Sequence, residues 1–337
     1  VRLRTSELVT PALCLDADLL EANLATMSAA LPKSRLRPHV KAHKCTSLAR
    51  LQAEAGHHNF TCATVAEMEG MARAGLGQDL LLANEVLDAR RLGALVEAGA
   101  RVTVAVDSIE TIEAARRGGV KEVLVDVNIG LPRCGVDAQR AGWLAEQARR
   151  AGLEVRGVMG YEGHAVGIAD RAERARLVAE ATAVLAQAHE AVGGEVVSGG
   201  GTGSYDLNTV ATEIQAGSYV LMDSAYGALG LPFAQALSVL ATVISVNSSG
   251  GWAVLDCGLK SLGMDHGNPE VPGGKVWFCS DEHTVWSPEP GSALPRVGSR
   301  LAVVPAHCDP TVAYHERIHL IQGEEVVEIW PVDLRGW

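Results

Sequence analysis

Between about residues 36 and 218, short apolar, β-branched runs alternate with longer amphipathic stretches. The apolar runs are residues 36–41, 59–63, 79–83, 101–106, 122–127, 154–159, 195–198 and 213–216. Most are continuous rather than alternating, as expected of parallel strands buried on both faces. The stretches between them read as helices. Thr64 and Glu67 have capping-box spacing ahead of an apolar stripe through Met68 and Met71, and Gly75 and Gly77 supply a stop. Residues 171–191 are rich in Ala and Glu and read as one long helix. Eight strands, each followed by a crossover, predict an α/β fold, a (β/α)8 TIM-like barrel. An open doubly wound sheet is the alternative; the strand count and the glycine-rich loops favour the barrel.

After about Leu231 the pattern changes. Residues 238–246, 252–256, 275–279, 300–304 and 325–330 are short β-rich runs separated by Gly, Pro, Asn and Asp, with no long helix pattern among them. They predict a C-terminal antiparallel β domain. Residues 11–16 precede the first barrel helix, have no place in the barrel, and are expected to pair into this domain. The expected division is therefore 17–230 for the barrel, and 1–16 with 231–337 for the β domain.

Composition narrows the function classes. A formal net charge of -11, without a basic run, disfavours nucleic-acid binding. No apolar stretch reaches the roughly 18 residues of a membrane span, and residues 1–10 contain no apolar signal-peptide core. Cys14, Cys45, Cys62, Cys134, Cys257, Cys279 and Cys308 are scattered, odd in number and form no CxxC pair. They read as reduced thiols in a cytoplasmic protein.

Function in a barrel collects at the C-terminal ends of the strands, and those ends are chemically rich here. The first run ends in Arg37-Pro38-His39-Val40-Lys41-Ala42-His43-Lys44, and the fifth leads to a loop containing Arg133. The sixth leads to Tyr161, Glu162 and His164, the seventh to Ser198-Gly199-Gly200-Gly201-Thr202-Gly203-Ser204-Tyr205, and the eighth to Gly217-Ser218-Tyr219. Glycines let backbone N–H groups approach an anion, and barrels often bind phosphate after strands seven and eight. A flexible turn would explain one such loop; two at consecutive strand ends point to phosphate. Lys41 at a strand end, among His39, His43 and Lys44, suits an amine kept neutral for Schiff-base chemistry, although a lysine in a basic cluster is more often a solvated surface residue. A lysine and a phosphate cradle on one face together suggest pyridoxal phosphate. In the β domain, an extended Pro305-Ala306-His307-Cys308-Asp309-Pro310-Thr311 would turn His307 and Asp309 to one side. That pair suits Mn, Co, Mg or Zn, yet two such residues are more often a plain hydrogen-bonded pair. Ser280-Asp281-Glu282-His283 reads as a supporting shell or as a polar turn.

Taken in order, RPHVKAHK (37–44), RCGV (133–136), SGGGTGSY (198–205), EIQAGSYVLMD (213–223), DCGLKSLGMDHG (256–267) and PAHCDPT (305–311) resemble the D-threonine aldolase and D-serine dehydratase family of fold-type III pyridoxal-phosphate enzymes. The resemblance covers essentially the whole chain. It implies an alanine-racemase-like barrel followed by a β domain, assembled as a homodimer and acting on small D-amino acids. It further implies that Lys41 carries the cofactor covalently and that Arg133 lies by its phenolic oxygen. Residues 200–205 and 217–219 would cradle the phosphate, Tyr161 and His164 would lie beside the pyridine ring, and His39 and Ser198 are further cofactor-binding candidates. His307 and Asp309 would hold the metal. Dehydratase-like members carry His-x-Cys, suited to zinc, and aldolase-like members His-x-Asp, suited to manganese. Asp309 therefore favours retro-aldol cleavage of D-3-hydroxy-amino acids to glycine and an aldehyde, with His164 one candidate base for the hydroxyl proton. A D-serine or D-threo-3-hydroxyaspartate dehydratase is the alternative. Cys308 between the two leaves a shifted metal pairing open. A non-catalytic cofactor carrier or a metal-free racemase fits the β domain and its metal motif less well.

Overall fold

Seven of the apolar runs become parallel strands in a computed structural model that describes residues 3–337. The chain order runs β1 (Ala12–Asp16), α1 (Ala17–Ala30), α2 (Thr46–Glu54), β2 (Asn59–Cys62), α3 (Val65–Arg73), β3 (Asp79–Leu82), α4 (Arg90–Glu97), β4 (Val102–Val106) and α5 (Ile109–Gly118). Then follow β5 (Glu122–Asp126), α6 (Ala138–Arg150), β6 (Glu154–Gly160), α7 (Arg171–Val192), β7 (Val196–Gly199), β8 (Glu213–Ile214) and α8 (Ser224–Gly227). The remainder is β9 (Leu237–Asn247), β10 (Trp252–Leu255), β11 (Gly274–Cys279), β12 (Thr284–Pro288), β13 (Arg300–Val303), α9 (Cys308–Tyr314), β14 (Arg317–Gln322) and β15 (Glu325–Pro331). Two compact units result. One holds residues 27–41, 48–217 and 334–337; the other holds 3–26, 42–47 and 218–333.

In the first unit β2 to β8 pair in sequence order, all parallel. The continuous apolar runs follow from burial on both sides. Leu81, Ala105, Leu124, Met159 and Val196 fill the inner face, while Leu80, Leu82, Val104, Val123 and Val125 pack outward among Met68, Met71, Leu92, Ile112 and Leu144. The Thr64–Glu67 capping box forms as expected, and Asp170 caps α7 through the Glu173 amide.

The first run is the exception to the eight-strand expectation. Residues 36–41 do not make a regular strand. Leu36 bridges Ile214 and His39 bridges Thr61, both parallel, so the segment touches both edges of the seven-stranded sheet. Pro38 has no N–H to give a ladder, so only its carbonyl takes part, accepting from Thr61 N. Val40–Ala42 then turns as a 3-10 helix, which places Lys41 in a turn rather than on a strand.

The strand starts carry a buried charge network. Arg37, 1% exposed, donates from Nε to Glu213 (2.7 Å), from Nη2 to Asp79 (3.1 Å) and from Nη1 to the Phe60 carbonyl (3.2 Å). Arg156 donates to Asp79 and to Thr103. Burial alone would raise the Asp79 carboxyl, but Arg37 and Arg156 outweigh it and hold it below its ordinary range.

The second unit is one sheet in the order β11-β12-β10-β9-β1-β14-β15, with β13 also on β9. Strand β1 pairs antiparallel with β9 and parallel with β14, so the sheet is mostly rather than wholly antiparallel. The sequence pattern did not reveal β12, β14 or the short helix α9. Strand β12 is half-exposed on one face and ends at Pro288, and β14 mixes apolar with charged and polar residues.

Replacing Arg37 by Met leaves Glu213 buried with only a long contact from Asn59 (3.4 Å). The expected loss is about 3–5 kcal/mol of unfolding free energy, read by denaturant titration. Because the native Asp79 carboxyl is held low, its contribution is complete above the ordinary carboxylate range. It fades as pH falls through the lowered native value, and Asp79→Asn should flatten that acid limb.

Candidate functional site

The strand C-terminal ends of the first unit bring several expected residues into register. His39 is tied to the sheet by its N–H on the Ala216 carbonyl (3.1 Å). Its Nδ1 accepts from the Lys41 amide at 3.4 Å, which fixes the start of the turn carrying Lys41. After β5 the chain pinches back on itself: Asn128 N donates to Val136 O and Val136 N to Asp126 O. Gly135, at φ +106°, has backbone at Asn128 where a Cβ would lie, so only glycine fits that pinch. The loop so formed carries Arg133, whose guanidinium lies 5.7 Å from the centre of the Tyr161 ring, a cation–π contact.

Asp126 ends β5 and is buried. Burial, the Glu85 carboxylate and Asp107 push its carboxyl well above the ordinary range, against the opposing Arg133. A neutral carboxyl is the expected state there.

The glycine-rich loop is held by a residue whose role the sequence did not reveal. Glu162 is fully buried. It accepts from the Gly200 amide at 3.2 Å and from Asn208 Nδ2 at 3.1 Å, and so ties the end of β6 to the loop after β7. A buried carboxylate between two loops leaves no mark in hydropathy, and its neighbours Tyr161 and His164 drew the attention. Gly200 has φ +76°, and Gly203 lies against the Val166 carbonyl where no Cβ fits. The Gly201 amide donates to Ser204 Oγ (3.1 Å), and Gln215 donates to Ser198 Oγ (2.8 Å). Thr202 and Tyr205 are buried in the same loop. The buried amides of Gly203 and Gly217 have no protein acceptor among the described residues. Unpaired buried donors on consecutive strand ends are what an incoming phosphate needs, so the loop fits that part of the cofactor. His164 lies against Gly130, and its Nδ1 is buried without a partner.

In the second unit, Ser218 and Tyr219 form a buried 3-10 turn, with Tyr219 against Phe233 at 5.8 Å. The extended strand expected at 305–311 is replaced. His307 is extended (φ -142°, ψ 119°) and caps α9, which begins at Cys308. Pro310 is tolerated there because the first-turn amides have no helical partner in any case. The same-side argument from strand geometry fails, yet His307 Nε2 and Asp309 Oδ1 still lie 3.8 Å apart. Cys308 between them is fully buried, and its Sγ donates to the same Asp309 Oδ1 (3.3 Å). Burial, then Asp309 and Asp223, push its thiol well above the ordinary range. His307 and Asp309 bring an imidazole and a carboxylate together, a pair that fits a hard or borderline divalent ion. Asp265 and His266 join His307; Glu282 instead pairs with Lys260 in the β11–β12 turn.

Residues 15–225 match the family described as alanine racemase, N-terminal domain. The chain belongs to this family. Residues 236–321 match a putative serine dehydratase domain, so the alanine-racemase-like barrel is joined to a second recognised part. Among relatives, a D-threonine aldolase of Arthrobacter sp. is 35% identical, over 97% of this chain and 93% of its own. A 3-hydroxy-D-aspartate aldolase of Paracoccus denitrificans (strain Pd 1222) is 36% identical, over 98% and 93%. The crystal structure of D-threonine aldolase from Filomicrobium marinum superposes with a TM-score of 0.93 at 37% identity, covering 99% of this chain and 98% of that one.

Glu162→Ala removes the two hydrogen bonds that hold the loop. It should weaken pyridoxal-phosphate retention by about tenfold or more, measured by cofactor loss on dialysis. Asp126→Asn tests the neutral carboxyl. Since burial raises that group in the folded state, its ionisation costs stability progressively above the unfolded value. The variant should therefore gain stability over the parent as pH rises from the ordinary carboxylate range, with the gap closing at low pH in thermal melts.

Proposed function

We propose that the chain is a pyridoxal-phosphate- and divalent-metal-dependent lyase of the D-threonine aldolase type, cleaving D-3-hydroxy-amino acids to glycine and an aldehyde. The observation that carries this is the donor pair of His307 and Asp309, with Nε2 and Oδ1 3.8 Å apart. When bound, the two groups supply an electron sink at the substrate Cα and Lewis-acid polarisation of the β-hydroxyl.

The protein's own residues hold and aim the reacting parts. Lys41 carries the cofactor from its 3-10 turn, with His39 fixing the backbone at that turn. The Gly200–Tyr205 loop and Ser198, with Gly217, Ser218 and Tyr219, would offer backbone amides and hydroxyls to the phosphate. Arg133, braced on Tyr161, would supply a positive charge to the bound cofactor. His164, with a buried ring nitrogen lacking a protein partner, is the candidate to hold the proton of the β-hydroxyl.

Residues 17–230 serve as the cofactor barrel, and 1–16 with 231–337 as the metal-bearing part. Manganese is the resident ion of this reading, since a carboxylate replaces the softer thiolate. The reading also takes the enzyme as a homodimer in the cytoplasm. The free state of all seven cysteines supports a reducing compartment.

The test is product analysis of the purified protein with pyridoxal phosphate, Mn²⁺ and D-threonine. Glycine and acetaldehyde are expected, lost on chelation and restored by Mn²⁺. Lys41→Ala should lower turnover by about a thousandfold or more, whereas Cys308→Ala should keep metal dependence. Ammonia and 2-oxobutanoate as products would replace the aldolase by a dehydratase on the same residues.

A further inference from the structure

The loop before β11 is stitched to the segment that carries the proposed metal ligands. Gly263 and His307 form an antiparallel bridge. The Gly263 amide donates to Thr311 Oγ1 (2.8 Å), and that hydroxyl donates to the His307 carbonyl (2.7 Å). Gly263 lies against Pro310, where a Cβ would collide with the ring. His315 Nε2 sits 3.0 Å from the Ser261 carbonyl, closing the other end of the stitch. Two residues beyond Gly263, Asp265 reaches His307: its Oδ2 lies 2.7 Å from Nδ1. A carboxylate only accepts, so Nδ1 is the donor in this contact, and Nε2 is the nitrogen that faces Asp309. His266 covers one face of the same ring, with centroids 4.0 Å apart and planes 7° from parallel.

We propose that Asp265 is a positioning residue for metal binding: it fixes the tautomer and orientation of His307 so that Nε2, together with Asp309, receives the ion. The inference rests on the reading of His307 and Asp309 as the ligands. Asp265, His266 and His307 also satisfy a rival ligand set by proximity, their donor atoms lying within 4.8 Å. Two features argue against it. The 2.7 Å contact between Asp265 and Nδ1 is a hydrogen bond, shorter than an ion between the two atoms would permit. The lone pairs of two imidazoles lie in their ring planes, and nearly parallel planes stacked this closely do not meet at one ion. His266 therefore buttresses the ring rather than sharing its metal. The arrangement is a carboxylate–histidine–metal relay, in which the outer carboxylate makes the imidazole a better donor.

The experiment measures Mn²⁺ affinity of the pyridoxal-phosphate-loaded protein by calorimetry, without substrate, and the visible spectrum of the Co²⁺-loaded protein at saturation. Asp265 is half-exposed, so its variants should fold normally. Asp265→Ala should weaken Mn²⁺ binding about 10- to 100-fold. Asp265→Asn, which keeps an acceptor but not the charge, should fall between Ala and the parent. The saturated Co²⁺ spectrum should keep the parent's shape in both. His307→Ala and Asp309→Ala should lose the site. Asp265→Ala binding within twofold of the parent, while those two variants fail, would overturn the positioning role alone. A changed Co²⁺ spectrum in Asp265→Ala would make Asp265 a ligand and overturn it as well. Unaltered Mn²⁺ affinity in His307→Ala and Asp309→Ala would remove the underlying assignment and this inference with it.

Discussion

The segment that carries Lys41 depends on the buried Arg37 guanidinium. A seven-stranded parallel sheet leaves two edges, and residues 36–39 reach both without forming a regular strand, because Pro38 cannot donate. Arg37 compensates. It reaches Glu213 at the start of β8, Asp79 at the start of β3 and the Phe60 carbonyl on β2. A buried cation of this kind is stable only while each of its carboxylates is present, so the network acts as one unit. Its consequence is positional. With Arg37 anchored among the strand starts, the chain emerges four residues later at the opposite ends, where the turn at Val40–Ala42 presents Lys41.

The two ends of the strands thus divide the work. Charge at the starts sits in ion pairs and is structural. Charge and polarity at the far ends are left partly uncompensated: the Gly203 and Gly217 amides, the His164 ring nitrogen and a carboxyl on Asp126 pushed toward neutrality. Such groups cost stability in an interior, and their concentration at one end of the barrel is the physical signature of a binding site. Glu162 belongs to neither set. It uses a buried carboxylate to hold a backbone loop in a shape that glycine alone would leave mobile. The second unit repeats that logic around His307, where Gly263 and Thr311 hold the backbone and Asp265 holds the imidazole.

Much of this was legible in the sequence. Continuous apolar runs report strands buried on both faces, and seven of the eight became parallel strands within a residue or two of the expected bounds. The Thr64–Glu67 cap and the long helix before residue 192 are local, and local pattern suffices for them. The motifs in their order along the chain carried the family. The pattern was less informative where the neighbours decide. Residues 36–41 look like a strand by composition, and only Pro38 between two sheet edges makes them something else. Strands β12 and β14 have mixed polarity because their faces are unequally covered.

Residue order and residue type alone therefore determined the alternation of strands and helices, the glycines of the loop after β7, and the presence of Lys41, His307 and Asp309. Tertiary structure alone decided which polar groups are paired. Whether Glu162 holds a loop, Asp126 stays neutral, Cys308 is buried or Asp265 claims a histidine nitrogen depends on partners distant along the chain. Burial and charge are properties of an environment, and an environment exists only once the chain has folded.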